Sequence, residues 1–260
     1  EIHIQTLSDN NGLVSLPGIP SCTACYEISV TKTGFSTDRT YSTDEVDNPL
    51  KPHATIISGD ITQVAMSIDK LSRLTINSYN LNYQAVANVT CTLRGNKIIG
   101  YDIGDNPVYK HEQVVNTGGY TVSIPLLEWD TYILDFSDSA HSLAGSNPII
   151  PFALYPNANL TIPIVVVPKS NASLLVIVKN PSGQLLASAS ATLTNSILSY
   201  DVTKFTPSTG SANFGQSFFE SLSPETYDLI VSLPGYEEAT ASVIIDSNQQ
   251  KSFILNHYQL

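Results

Sequence analysis

Alternating apolar and polar residues run along most of this chain. Residues 87–93 place an apolar residue at every second position, and residues 1–6 place Ile2 and Ile4 between polar residues, which is the period of a half-buried β-strand. Turn-forming stretches such as Ser8-Asp-Asn-Asn-Gly12 separate the alternating runs. No window of about a dozen residues spaces its apolar positions as a helix would. The pattern therefore predicts an all-β protein.

An extended run that begins with tyrosine occurs three times. Tyr26 and Tyr227 are each followed eight positions later by a glycine, Gly34 or Gly235, and then by an aromatic residue. A third run at Tyr132 keeps the strand pattern without the glycine. The spacing of the copies is about 100 residues, the size of a small domain rather than of a solenoid repeat. We expect these tyrosines and glycines to be structural positions of a repeated module.

The repeat predicts three β-sandwich modules in tandem, at residues 1–71, 72–168 and 169–260. The second strand of module two, residues 87–93, aligns position for position with residues 187–193 of module three. Apolar residues on one side and polar residues on the other are what one face of a sandwich requires. The linker between these modules is short, so we expect a semi-rigid rod.

The recurring tyrosines are expected to serve the core. Since Tyr26, Tyr132 and Tyr227 occupy one structural position, we expect buried rings whose hydroxyls reach a backbone partner. Cys91 aligns with Ala191. It is therefore predicted to be a small buried residue and not a nucleophile.

Composition narrows the classes of partner. The 260 residues include 42% hydrophobic but only 13% charged residues, and the formal net charge is −11. Nucleic acid and anionic membranes attract basic surfaces, so both are disfavoured as partners. No apolar run is long enough to span a bilayer. Because the chain begins at Glu1 without methionine, we expect any signal or anchor to have been removed or to lie upstream.

Cys22-Thr-Ala-Cys25 is the most conspicuous chemical motif. It lies in a predicted loop, as an insertion of two residues relative to the other modules. A redox pair of this spacing normally caps a helix, and a single pair supplies only two of the four ligands of a structural zinc. We expect a small loop disulfide, with free thiols, zinc and redox chemistry as the alternatives.

The remaining chemical candidates are weaker. The histidines show no paired metal spacing, and no nucleophile, zinc-protease or phosphate-loop motif occurs. Acidic turns could offer oxygen ligands to calcium, but turn formation alone explains them. Asn88, Asn159 and Asn171 begin glycosylation sequons, as is expected by chance in a chain rich in Ser, Thr and Asn. We predict no catalytic residue, no metal and no cofactor.

The order of the elements resembles the carboxypeptidase regulatory-like domain, a seven-stranded sandwich of transthyretin-like topology within the Ig-like class. In module three the resemblance rests on residues 187–193, 210–214 and 222–227, and on Gly235-Tyr236. Module one shows Asp9-Asn-Asn-Gly12 and the run from Tyr26, whereas module two matches less well. In this family the domain is usually a non-catalytic appendage, which implies that the chain is not an enzyme.

Module one departs from the resembled pattern because its two opening strands are absent and would precede Glu1. A sandwich without those strands has unpaired edges and an exposed core. One interpretation is that the chain is a fragment of a longer protein. The other is that a neighbouring subunit donates a strand to residues 1–71.

Residues 128–132 and 36–41 also resemble modular surface or pilus-associated proteins of uncultivated small-genome bacteria, which implies an extracellular or cell-surface location. Our hypothesis is a non-catalytic structural or adhesive protein, a spacer or a filament or surface-layer subunit. Its partners would be other copies of itself, neighbouring surface proteins or a glycan. The alternative is a carbohydrate- or protein-binding accessory region of an exported enzyme.

Overall fold

A computed structural model describes residues 2–258, and these form β-strands and turns without an α-helix. The predicted all-β, sandwich-type fold class is confirmed. None of the described residues belongs to a helix that could cross a membrane. The chain divides into two compact units. We call Glu1–Ile68 with Ile98–Val108 the N-terminal unit, and Asp69–Lys97 with Tyr109–Leu260 the main unit.

The strands before residue 70 are short. They are β1 (Cys22–Tyr26), β2 (Ser29–Val30), β3 (Asp38–Arg39), β4 (Asn48–Pro49) and β5 (Ala54–Ile56). β1 pairs with β5 and β2 pairs with β3, both antiparallel. Val46 and Ala54 are the buried hydrophobic residues in the described part of this unit, so little core holds these strands together.

The next ten strands include most of the longer ones of this half of the chain. They are β6 (Ser72–Tyr79), β7 (Thr90–Gly95), β8 (Ile98–Tyr101), β9 (Pro107–Tyr109), β10 (Glu112–Asn116), β11 (Thr121–Leu127), β12 (Asp130–Asp135), β13 (His141–Ser146), β14 (Phe152–Leu154) and β15 (Asn159–Pro168). Apart from β8 and β9 they form two four-stranded sheets, β10-β7-β12-β14 and β11-β6-β15-β13. The inner faces of the two sheets share one hydrophobic core. We call this body the middle sandwich.

A second sandwich follows, which we call the C-terminal sandwich. Its strands are β16 (Ser173–Lys179), β17 (Ser190–Asn195), β18 (Tyr200–Phe205), β19 (Gln216–Phe219), β20 (Glu225–Ser232), β21 (Ala239–Ile245) and β22 (Asn248–Ile254). They form sheets β18-β17-β20-β21 and β19-β16-β22 around a core of their own. Each sandwich closes with a strand that runs parallel to its opening strand, β15 beside β6 and β22 beside β16.

The two sandwiches repeat each other down to single hydrogen bonds. After the opening strand, the side-chain oxygen of Asn80 accepts from the backbone N–H of Gln84 at 3.0 Å. The side chain of Asn180 accepts in the same way from Gln184 at 2.9 Å. The predicted second strands at residues 87–93 and 187–193 both begin three residues late, at β7 and β17. In each case the preceding Asn88 or Ser188 has a positive φ, a conformation that does not continue a strand.

The tyrosine positions anchor both sandwiches. Tyr132 and Tyr227 are almost fully buried. Their hydroxyls donate to the carbonyl oxygen four residues upstream, at 2.8 Å to Glu128 and 3.1 Å to Ser223. A buried hydroxyl that lacked such a partner would carry a desolvation cost, so each ring fixes the loop that leads into its own strand.

The N-terminal unit differs from the prediction. Residues 1–6 were expected to form a strand, yet residues 2–20 form none, and residues 61–68 also lie outside any strand. Leu7 and Ile61 are 92% and 96% exposed. Alternation alone does not make a strand, because its backbone groups need a neighbouring strand and its apolar face needs a second layer. The described residues of this unit supply neither to these segments.

A hairpin of β8 and β9 lies between β7 and β10 in sequence but groups with the N-terminal unit. β8 pairs with β4, with Asn48 opposite Tyr101 and Pro49 opposite Gly100. The equivalent link between β17 and β18 contains only residues 196–199. The contiguous boundaries at residues 71 and 168 stay a prediction, whereas the structure assigns residues 98–108 to the sheet of β4.

Replacing Tyr227 with Ala should lower the free energy of unfolding by about 3 to 5 kcal/mol, as truncation of a large buried aromatic does. Tyr227→Phe is the matched control, because it keeps the ring and should cost about 1 kcal/mol through the lost hydrogen bond. Denaturant unfolding measures both values. A loss below about 1 kcal/mol for the alanine variant would contradict the core position of the ring.

Gly100→Ala should weaken the N-terminal unit and spare the main unit. A Cβ at this position would lie 2.4 Å from the carbonyl oxygen of Asn48 and 2.5 Å from Cγ1 of Val46, so β4 and β8 must separate. We expect faster amide hydrogen exchange in β8 and at Leu50, whose N–H donates to the Ile99 carbonyl at 2.9 Å, and unchanged exchange in β16 and β17. Gly119→Ala is the control, because nothing lies within 4 Å of its Cβ position. Unchanged exchange at Leu50 would refute the pairing.

Candidate functional site

The largest apolar contact outside the two sandwich cores joins the sandwiches to each other. Successive residues of β16 point to opposite faces of its sheet, so Leu174 and Val176 enter the C-terminal core while Leu175 and Ile177 face the other way. The second face packs against the middle sandwich in a cluster that we call the module interface. It consists of Ala144, Val165, Val167, Leu175, Ile177, Ala212 and Phe218.

A buried glutamine orients the module interface. The side-chain nitrogen of Gln216 donates to the carbonyl oxygen of Ser146 at 2.7 Å, and its side-chain oxygen accepts from the N–H of Ser146 at 3.2 Å. Gln216 is 1% exposed. Its side-chain amide therefore makes both of the hydrogen bonds that a residue of a neighbouring strand would make to Ser146 at the end of β13. Because an unpaired buried amide is costly, the two sandwiches are held in one register.

Polar contacts surround the apolar cluster. The Tyr83 hydroxyl, in the loop after β6, donates to the side-chain oxygen of Asn213 at 2.9 Å. Gly145 lets the backbones approach, since a Cβ there would lie 2.4 Å from Cβ of Asn213. The interface thus combines an apolar centre with hydrogen bonds at its periphery, as stable protein interfaces do.

Cys22 and Cys25 form a disulfide in the structure. Both cysteines lie in β1, so the predicted loop position is wrong. β1 pairs with β5 at Cys22 and Tyr26, and the pairing between these two positions is irregular. Tyr26 is the last residue of β1, and its hydroxyl donates to the carbonyl oxygen of Pro20 at 2.9 Å, six residues upstream instead of four. The two inserted residues are therefore accommodated as an irregularity of the strand, which the disulfide bridges. The Tyr26 ring is only half-buried, unlike its two counterparts.

The two glycines that follow the tyrosine strands have φ values of 78° at Gly34 and 88° at Gly235. This left-handed conformation costs glycine little and other residues more. Each glycine lies in a turn of the same type, closed by Phe35 N–H to Lys32 at 2.9 Å and by Tyr236 N–H to Leu233 at 3.0 Å.

The other predicted positions are dispersed. Cys91 lies inside the middle core, and burial raises the pKa of its thiol to about 12, which disfavours the thiolate that a nucleophile needs. Asn88, Asn159 and Asn171 are all exposed, and their glycosylation stays a prediction. The structure does not bring these residues together.

The acidic turns are held by their own hydrogen bonds. The Asp102 carboxylate accepts from the backbone N–H groups of Gly104 and Asn106, each at 2.8 Å. The Asn106 side chain and the two backbone donors lower the pKa of Asp102. Asp9 forms an equivalent turn with Asn11 and Leu13. Within residues 2–258 no group of three His, Cys, Asp or Glu side chains is arranged to hold a metal ion.

A charged and aromatic cluster that the sequence analysis did not predict lies at the loop before Tyr132 in the middle sandwich. The Glu128 carboxylate bonds Lys97 at 2.9 Å and Lys110 at 2.6 Å. The Lys97 ammonium also lies 4.7 Å from the centre of the Trp129 ring, which is 42% exposed. The C-terminal sandwich has serine and proline at the equivalent positions of its loop. This difference between the two repeats is the sequence feature from which the cluster could have been predicted.

His111 lies beside this cluster, with its ring centre 5.7 Å from the centre of the Tyr132 ring and the two rings nearly perpendicular. Desolvation lowers the pKa of His111, while the nearby carboxylates of Asp130 and Glu128 oppose that shift. The folded state therefore favours the neutral imidazole.

His111 should make the main unit less stable in acid. The pKa of His111 in the folded protein lies below the ordinary value of about 6.5. Its contribution to the free energy of unfolding is therefore complete above that pH and is lost as the pH falls through the folded pKa. Unfolding free energies measured at neutral pH and near pH 5 should therefore differ less in His111→Gln than in the natural chain. His3→Gln, at an exposed position, is the control. An identical pH dependence in His111→Gln would refute this role.

Comparisons with known proteins give structural likenesses only. No protein-family profile matches the chain, and no curated protein matches it. Among solved structures, the shaft pilin SpaA from Lactobacillus rhamnosus GG is 11% identical, with a TM-score of 0.26, and the match covers 74% of this chain and 99% of that chain. The minor pilin GBS52 from Streptococcus agalactiae is 13% identical, with a TM-score of 0.29 and coverage of 73% and 97%.

The Bacillus anthracis TIE protein is 15% identical over 96% of this chain and 43% of that chain, with a TM-score of 0.25. TM-scores below 0.5 do not support a functional argument.

Proposed function

We propose that this protein is a non-catalytic extracellular structural protein, a spacer or a filament or surface-layer subunit built from tandem β-sandwich modules. The observation that carries the proposal is the module interface, which joins the middle and C-terminal sandwiches through buried apolar side chains. Domains within one chain normally move relative to each other unless a large hydrophobic interface prevents it. A spacer that holds a fixed length needs that restriction.

The connection between the sandwiches supports the same role. β15 ends at Pro168 and β16 begins at Ser173. This short link limits how far the sandwiches could separate, and the Gln216 amide fixes their register. Rigidity therefore comes from three sources, namely a short covalent link, a packed apolar face and a buried hydrogen-bonded amide.

A carboxypeptidase regulatory-like, transthyretin-like topology fits the C-terminal sandwich. It has seven strands in two sheets, and its tyrosine strand β20 leads into the turn at Gly235. We propose that the middle sandwich is a variant of the same module, extended by β13 and by the β8–β9 hairpin. Under this proposal the N-terminal unit is a partial module.

The partial module suggests other copies of this chain, or neighbouring surface proteins, as partners. In the sandwiches the tyrosine strands β12 and β20 are flanked by β7 and β17. In the described part of the N-terminal unit, β2 pairs with β3 alone. A strand donated to residues 1–71 by a neighbour would fill the missing position, because an open edge presents a row of unpaired backbone groups.

One observation favours the alternative of a carbohydrate- or protein-binding accessory region. Trp129 is 42% exposed and is held by Lys97 and Glu128, and a half-exposed, immobilised aromatic ring suits ligand contact. Two other exposed aromatic side chains of this sandwich, Tyr83 and Tyr120, lie in other loops, between β6 and β7 and between β10 and β11. No ring contact joins either of them to Trp129 among the described residues, so we prefer the spacer role.

The rigidity of the main unit can be measured with a pair of spin labels at exposed positions of the two sandwiches, Val114 in β10 and Ile244 in β21. We expect one narrow distance distribution. Phe218→Ala removes a ring from the module interface and should broaden the distribution. Phe219→Ala is the control, because the neighbouring residue lies in the C-terminal core instead and should lower stability without broadening the distances.

A broad distribution in the otherwise unchanged protein would contradict the spacer proposal. An unchanged distribution in Phe218→Ala would show that the module interface does not restrain the sandwiches.

A further inference from the structure

The outer edge of β22 is open. Leu255 N–H donates to the Lys179 carbonyl at 2.9 Å, and the Ser247 carbonyl accepts from Ser173 N–H at 3.4 Å, so odd-numbered residues of this strand face β16. Backbone groups alternate sides along a strand. The N–H and C=O groups of the even-numbered residues therefore face away from β16, and no strand within residues 2–258 pairs with them. These residues are Asn248, Gln250, Ser252 and Ile254.

The same edge is covered in the middle sandwich. β15 is the counterpart of β22, since each is the last strand of its sandwich and runs parallel to the opening strand. β13 pairs antiparallel with β15, from Ser142 opposite Val167 to Ser146 opposite Ile164. This fold therefore accepts an antiparallel strand of six residues at the position that is open in the C-terminal sandwich.

Apolar exposure accompanies the open edge. The side chain of Ile254 is 59% exposed on the outer face of the sheet. A strand added beside β22 would bring side chains against Ile254 and would pair the four free backbone positions. Long exposed edges with apolar side chains are sites of strand addition unless something blocks them.

Residues 2–7 have the properties of such a strand. Their sequence is Ile-His-Ile-Gln-Thr-Leu, which alternates from Ile2 to Gln5 and includes three β-branched residues, a type that favours strands. These residues form no strand within their own chain, and Ile2 and Ile4 are 52% and 51% exposed. The segment has six residues, as β13 does.

Charge also favours this match. The formal net charge of −11 makes copies of the chain repel one another. Neither residues 2–7 nor β22 contains an acidic residue. The two segments can therefore meet without placing carboxylates against each other.

We propose that residues 2–7 of a second copy of this chain add as an antiparallel strand to the open edge of β22. The proposal rests on the structural role above and specifies how copies would join. Donor and acceptor are different surfaces, so the contact is heterologous and generates open chains unless the geometry closes a ring. One strand makes a small interface, and assembly should therefore depend strongly on protein concentration.

Two single variants test the two sides of the contact. Ser252→Pro removes an N–H that faces away from β16, so it should block the added strand and leave the sandwich's own hydrogen bonds intact. Ser252→Ala keeps the N–H and is the matched control. Ile4→Asp places a charge in the donor segment at an exposed position that the fold of its own chain does not use.

Sedimentation velocity over a wide concentration range gives the result. The natural chain and Ser252→Ala should form a concentration-dependent series of oligomers, whereas Ser252→Pro and Ile4→Asp should each sediment as monomers. An equimolar mixture of these two variants should form dimers with twice the monomer mass and nothing larger. In that mixture the intact donor of one variant meets the intact acceptor of the other, and both remaining ends are blocked.

Assembly of Ser252→Pro or Ile4→Asp to the same extent as the natural chain would overturn the proposal. So would a mixture that stays monomeric, or a natural chain that stays monomeric at its solubility limit. These results would leave the spacer role standing, because that role is judged by the distance distribution within one chain.

Discussion

The structure depends on one constraint, which is that the backbone N–H and C=O groups of a β-strand need hydrogen-bond partners, either in a neighbouring strand or in water. Within the two sandwiches the inner strands of each sheet are paired on both sides, and the outer strands are paired on one side only. β13 covers the edge of β15, and the side chain of Gln216 bonds to Ser146 at the end of β13. Where the chain supplies no neighbouring strand, alternating segments such as residues 61–68 stay outside any sheet. An uncovered strand edge is therefore a place where a strand of another molecule can add.

β16 is buried on both of its faces, and this burial bears on function. Five of its seven residues, Leu174 to Val178, are buried hydrophobic residues that alternate between the C-terminal core and the module interface. A strand buried on both faces is normally found in the middle of a layered domain. Here it lies between two sandwiches, so their contact resembles the interior of one protein more than a hinge. This packing gives a physical reason for a spacer role that does not require a reactive centre.

Much of the fold could be predicted from the sequence because the repeat fixes it. The alignment of Cys91 with Ala191 places both residues in cores, and the tyrosine runs mark strands in both sandwiches. The sequence did not reveal that residues 98–108 join the sheet of β4, because this pairing is non-local and its strands are short. The start of β7 was placed too early, since nothing in the pattern marks the positive φ of Asn88.

The module interface could not be predicted either, because Leu175 and Ile177 belong to a continuous apolar run that shows no alternation. Such a run indicates burial on both faces without identifying the second partner.

Direct imaging of the purified protein by electron microscopy at high concentration tests most directly whether copies of this chain join through a strand added to β22. We expect unbranched chains whose repeating unit is one polypeptide. Isolated particles, or closed dimers with two-fold symmetry, would contradict this expectation.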